Sequence, residues 1–187
     1  MKHQLSEVKC AVLTAASIAL CIVLPMAFHA IPNAGNIFLP MHIPVLICGL
    51  VCGWRYGLLC GIAGPVLSAV LTGMPPAAVL PGMAAETAVF GVAAGFMMKT
   101  VHTKRLFPDL YISLITAILL GKVISGAAKA LIFSAGQYSM AAWVSASFIT
   151  AWPGLLLQLA LIPAVVAALE KSKLIPARYP KKSGRFQ

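Results

Sequence analysis

ILLGKVISGAAKALIF, residues Ile118 to Phe133, is built from small and aliphatic side chains apart from two lysines, Lys122 and Lys129. On a helix their seven-residue separation is almost two turns, so both lie on one face roughly 10 Å apart, with Ser125 and Gly126 between them. A lysine at the centre of a membrane helix costs about 2.5–3.5 kcal/mol and less near the ends, where it can snorkel. The placement of two cations here therefore depends on whether the segment crosses a bilayer.

The surrounding chain says that it does. Of 187 residues, 60% are hydrophobic and only 10% charged, and the mean hydropathy is +0.94. A soluble domain needs more charge to cover its surface. Repeated apolar runs near the roughly 20-residue spanning length predict an all-α integral membrane protein, and the chain is short enough to form one bundle, residues 1–187. Six spans can be drawn, at about 8–28, 42–53, 58–72, 82–98, 110–135 and 143–169. Lys2 and Lys9 precede the first run as they would a signal peptide. That run is too long for one, and Phe28-His29-Ala30 is a poor cleavage site, so it reads as a retained span.

Charge placement predicts the orientation. Lys2 and Lys9 precede span one, and Arg55 lies between spans two and three. Lys99, Lys104 and Arg105 lie between four and five; Lys171, Lys173, Arg178, Lys181, Lys182 and Arg185 follow six. The other three connections hold no Lys or Arg, so both termini are expected in the cytoplasm. The net charge of +10 then reflects topology and attraction to anionic lipid, not nucleic-acid binding. The basic tail 175–187 reads as a frayed cytoplasmic end.

Two outer loops carry more information. HAIPNAGNIFLPMHIP, His29 to Pro44, is rich in Pro, Gly and Asn, and TGMPPAAVLPG, Thr72 to Gly82, is apolar with three prolines. Stiff apolar loops at a membrane mouth could serve as a lid or as mere connections. His29 and His42 bracket the first loop, and both a pocket and an interfacial role suit them.

Glu86 is the one acid inside a span. It is expected about one turn deep from the outside, near the depth of Lys129, with Lys122 deeper. Trp152 and Gln158 occupy the same outer-middle layer of span six. Two readings follow: a structural Glu86–Lys129 pair, or an outward-facing pocket of Glu86, Lys122, Ser125, Lys129, Trp152 and Gln158. The second is favoured because two cations and one acid leave a positive surplus that a ligand carboxylate or phosphate can offset.

Other features carry less chemistry. Ala11, Ala15 and Ala19 recur every four residues and form a small-residue stripe that permits close helix approach, either within the chain or to a separate membrane subunit. Cys10, Cys21, Cys48, Cys52 and Cys60 lie in or beside spans and read as small apolar fillers; no His or acid completes a metal set beside Cys48 and Cys52. GWRYG, Gly53 to Gly57, reads as a turn with interfacial anchors. With no phosphate loop, no G-x-S-x-G, no HExxH and no carboxylate partner for Glu86, neither catalysis nor a cofactor is expected.

The stretch LPMHIPVLICGLVCGWRYGLLCGIAGPVLSAVLTGMPP, Leu39 to Pro76, resembles the corresponding region of substrate-binding S components of energy-coupling factor (ECF) transporters, and the likeness extends over about residues 8 to 170. The resemblance implies a six-helix bundle in a prokaryotic plasma membrane that captures a vitamin or related micronutrient from outside. It implies association with a transmembrane coupling subunit and two cytoplasmic ATPase subunits. It maps the coupling-subunit contact onto Ala11, Ala15 and Ala19. It places the ligand among the later spans, near Glu86, Lys122, Lys129, Trp152 and Gln158, with Asn33 and Asn36 in a covering loop. An anionic or zwitterionic substrate is expected; a pantothenate-like one suits the lysines, and folate-like, pyridoxine-like and deazapurine-type ones stay open. The alternative is a stand-alone proton-coupled carrier using Glu86.

Overall fold

The computed structural model describes residues 5–28, 34–128 and 140–179. In chain order they form α1 (Glu7–Ala27), α2 (Ala34–Phe38), α3 (His42–Cys52), α4 (Trp54–Thr72), α5 (Leu80–Thr100), α6 (Leu106–Ala128), α7 (Met140–Val144), a π-helical segment (Ser145–Thr150) and α8 (Trp152–Lys171). Among the described residues there is no strand. Helices α1, α4, α5, α6 and α8 are long and apolar enough to cross a membrane, while α3 is apolar but shorter.

Helix boundaries depart from the expectation where turn chemistry decides them. The third span was expected from about residue 58, but α4 begins at Trp54. Gly53, at φ +92°, makes the whole turn from α3, a conformation that a residue with a Cβ rarely adopts. The last span, expected to be continuous over 143–169, is instead broken at Ala151 between the π-helical segment and α8. Gly154 then sits so close to the backbone of Ile37 and Phe38 that a Cβ would overlap it, so α2 lies against the start of α8. The α2 part of the first loop thus packs against the bundle, and Phe28 meets Phe38 ring to ring at 5.3 Å. The second loop is mostly exposed over 73–79.

Helices α1, α4 and α6 run one way and α3, α5 and α8 the other, giving the bundle two ends. One carries α2 and residues 73–79; the other carries Gly53, residues 101–105 and the segment after α8. Helix α3 lies inside, packed against α1, α4, α5 and α8, and its residues are nearly all buried. Around it, Val8, Val23, Val70, Leu71, Phe96 and Val123 are exposed. An apolar exterior of this extent suits lipid, not water.

The α4–α5 crossing shows how small residues set the packing. Gly57 and Gly91 approach so closely that a Cβ on either would run into the other's backbone. Pro65, inside α4, has no N–H and so frees the carbonyl of Gly61. Thr87 of α5 donates its hydroxyl to that carbonyl at 2.5 Å. The proline is tolerated because the neighbouring helix supplies the lost donor.

Candidate functional site

Polar residues inside the bundle converge from three helices, α3, α5 and α6. Glu86 lies six residues after the start of α5, and Lys122 lies six residues before Ala128 on α6. At 1.5 Å per residue Glu86 is about 9 Å from the start of α5, and the contact between the two side chains puts Lys122 near that depth. Lys122 Nζ donates to Glu86 Oε1 at 2.6 Å. Both residues are buried, Lys122 4% and Glu86 6% exposed. One of the two expected readings paired Glu86 with Lys129 and set Lys122 deeper. Lys129 lies outside the described residues; among the described residues Lys122 reaches the carboxylate.

His42 closes the cluster. It starts α3 within the bundle, is buried, and sets Nε2 3.7 Å from Glu86 Oε1. The positive end of the α3 dipole therefore lies on the carboxylate side. The Phe90 ring lies beside both side chains, 5.1 Å from the His42 ring and 5.9 Å from Lys122 Nζ. Gly121 leaves room for that ring, since a Cβ there would overlap it. An interfacial role for His42 is thereby corrected to an interior one. No local signal separates the two roles, since its place directly before the apolar run IPVLICGLV suits either.

The remaining expected site residues divide. Ser125 is buried and donates to the Lys122 carbonyl at 3.3 Å. Gln158 on α8 is fully buried, and neither atom of its amide has a hydrogen-bond partner. Trp152 is 58% exposed and lies off the buried cluster. Asn33 lies outside the described residues; Asn36 is in α2, but its side chain is not among those described. Trp143, which the sequence reading did not single out for the pocket, packs over Gly126 one turn beyond Lys122, with its buried Nε1 unpartnered.

A second polar cluster lies at the opposite end. Arg178 Nε donates to Asp109 Oδ2 at 2.6 Å, and its guanidinium also donates to the carbonyls of Met98 and Val101. Tyr179 Oη and the Thr103 hydroxyl and N–H complete the shell of Asp109. Asp109, expected outside the spans, is buried in the first turns of α6. The expectation of a frayed tail is corrected for residues 175–179: Ile175 is buried and Arg178 is clamped. Residues 180–187 lie outside the described residues. A cavity of about 880 Å³ opens beside this cluster, lined among others by Trp54, Arg55, Glu170 and Arg178.

The cysteines are free and packed between α1, α3 and α4, where Cys21, Cys48 and Cys60 share a core with Val45. On α1 the buried face is Cys10, Thr14, Ser17 and Cys21. Ala11, Ala15 and Ala19 lie on the other side and are exposed, so they do not pack against this chain's described helices.

Residues 8–169 match the family described as ECF transporter, substrate-specific component. The chain belongs to that family. No curated protein and no solved structure matches it. As an ECF substrate-specific component it is a multi-pass protein of the prokaryotic plasma membrane, and its part in transport is to bind substrate rather than to act as an enzyme.

Proposed function

We propose that this S component captures a small water-soluble vitamin or related micronutrient bearing an anionic or zwitterionic group, with Lys122 as its anchor, and works in an ATP-driven importer. The observation that carries the reading is the buried Lys122–Glu86 pair within an apolar bundle, joined by His42. Ionisable groups at membrane depth are costly, and a buried ion pair is often no more stabilising than apolar residues of the same volume. A binding task accounts for that cost. An ammonium carries three N–H donors, and among the described residues only Glu86 accepts one, so donors remain for a ligand's carboxylate or phosphate.

Orientation follows from charge. Apart from Lys122, every Lys and Arg among the described residues lies toward the Arg178 end, which supports a cytoplasmic placement of that end and of both termini. The site then opens to the outside, beneath α2, with α3 as a short sixth crossing. The exposed stripe Ala11, Ala15 and Ala19 supports docking to a transmembrane coupling subunit, with two cytoplasmic ATPases supplying the energy.

The test is mass spectrometry of small molecules released from the purified protein. The parent should release a micronutrient with an acidic group, and Lys122→Ala should lose it; equal retention by that variant refutes the anchor. Uptake should require a co-expressed ATPase module. Uptake by this chain alone, abolished by an uncoupler, would instead establish a proton-coupled carrier centred on Glu86.

A further inference from the structure

The buried polar atoms left without partners describe the ligand more closely than the ion pair does. Gln158 leaves both its amide oxygen and its amide nitrogen unpartnered, and His42 leaves both ring nitrogens without a hydrogen bond. Its Nε2 is 3.7 Å from Glu86, too far for one. Buried amides are nearly always satisfied, and each orphaned polar atom costs about 1–3 kcal/mol.

Both residues lie in the half of the bundle that carries α2. Gly154 of α8 touches Ile37 and Phe38 of α2. One turn further along α8 is Gln158; four residues beyond Phe38 is His42. Another turn along each, Ile162 and Leu46 share the core with Phe90. Helices α3 and α8 are in contact, and His42 and Gln158 lie in the half of each that is nearer α2, the half that also holds the Glu86–Lys122 pair. Trp143 Nε1 adds a third buried donor without a partner, one turn along α6 from Lys122.

Resting on the site proposed above, we infer that the ligand presents, beside its acidic group, a neutral edge with an N–H next to a C=O, as in an amide, lactam or ureido group, and that Gln158 reads this edge. A primary amide offers one coplanar N–H donor beside one C=O acceptor, and the complement of that pair is the same pair reversed. A carboxylate or phosphate alone would satisfy the nitrogen and leave the oxygen facing another acceptor. The two unpartnered ring nitrogens of His42 lie in the same half of the bundle. Lys122 thus takes the charge, while Gln158 discriminates among ligands that share it, because a site built to hydrogen-bond rejects analogues lacking the group.

The probe is the small-molecule filtrate of a bacterial lysate, incubated with purified parent, Gln158→Met, Gln158→Leu and Lys122→Ala proteins. Molecules retained after washing are identified by mass spectrometry. The parent should retain a compound with an N–H beside a carbonyl, and Gln158→Met should retain it about tenfold less or worse. Without filtrate, Gln158→Met should melt no lower than the parent, since the change removes an unsatisfied amide; Gln158→Leu repeats the test if methionine packs poorly. Loss of the compound by Lys122→Ala but full retention by both Gln158 variants overturns this inference and leaves the site standing. A retained compound without such an edge does the same. A parent that retains nothing overturns the site and the inference together.

Discussion

Lys122 and Glu86 depend on each other in a way that neither residue's neighbours along the chain reveal. Removing only the lysine breaks a buried ion pair and takes from the carboxylate its 2.6 Å cationic partner. Lys122→Met should therefore lower stability by about 3–5 kcal/mol, whereas Lys122→Met combined with Glu86→Gln should regain most of it, because both charges are gone. Thermal unfolding in detergent measures this, and a single variant as stable as the parent would refute the dependence. At this scale the sequence was partly legible. A lysine and an acid inside apolar runs stand out on cost alone, and Gln158 stands out as an amide. The role of His42 did not, because a histidine at the edge of an apolar run has the same local pattern whether it faces headgroups or the interior.

Among the helices, the α4–α5 crossing and the segment after α8 carry the sharpest expectations. Gly91→Leu would force side-chain atoms into the backbone around Gly57 and Gly49. It should cost about 1–3 kcal/mol or more by overpacking and lower the yield of folded protein in detergent. An unchanged melting curve would show that the two helices can separate. Arg178→Ala removes the charge-assisted bond to Asp109 and the donors to the Met98 and Val101 carbonyls. Hydrogen exchange should then speed up in residues 174–179 and around Thr103 while the Glu86 region stays protected; equal exchange in both proteins would refute the clamp. Helix identity was readable because spanning length and apolar content are local properties. The break at Ala151 was not, since it goes with the close packing of α2 against Gly154, a contact from a distant part of the chain.

On the scale of the molecule, the two sides of α1 divide the labour. Cys10, Thr14, Ser17 and Cys21 hold the helix to the bundle, and the exposed alanines leave a smooth face. Replacing Ala15 and Ala19 with Trp should abolish co-purification of the coupling subunit while leaving retained small molecules unchanged, because the stripe is remote from Gln158 and Lys122 in the packing. Intact co-purification would refute the docking face.

The linear order of residues was enough to establish an apolar helical membrane chain with its cations gathered at alternate connections, and to single out Glu86, Lys122 and Gln158. Those properties come from composition and spacing, which each segment carries alone. Only the packed bundle decided that Lys122 reaches Glu86 across 36 residues, that Arg178 reaches Asp109 across 69, and that the Gln158 amide is buried without a partner. Such pairings depend on the depth and rotation of each helix against its neighbours. Interhelical contacts such as those of Gly57 with Gly91 and Gly154 with α2 set that geometry, and no single segment encodes it.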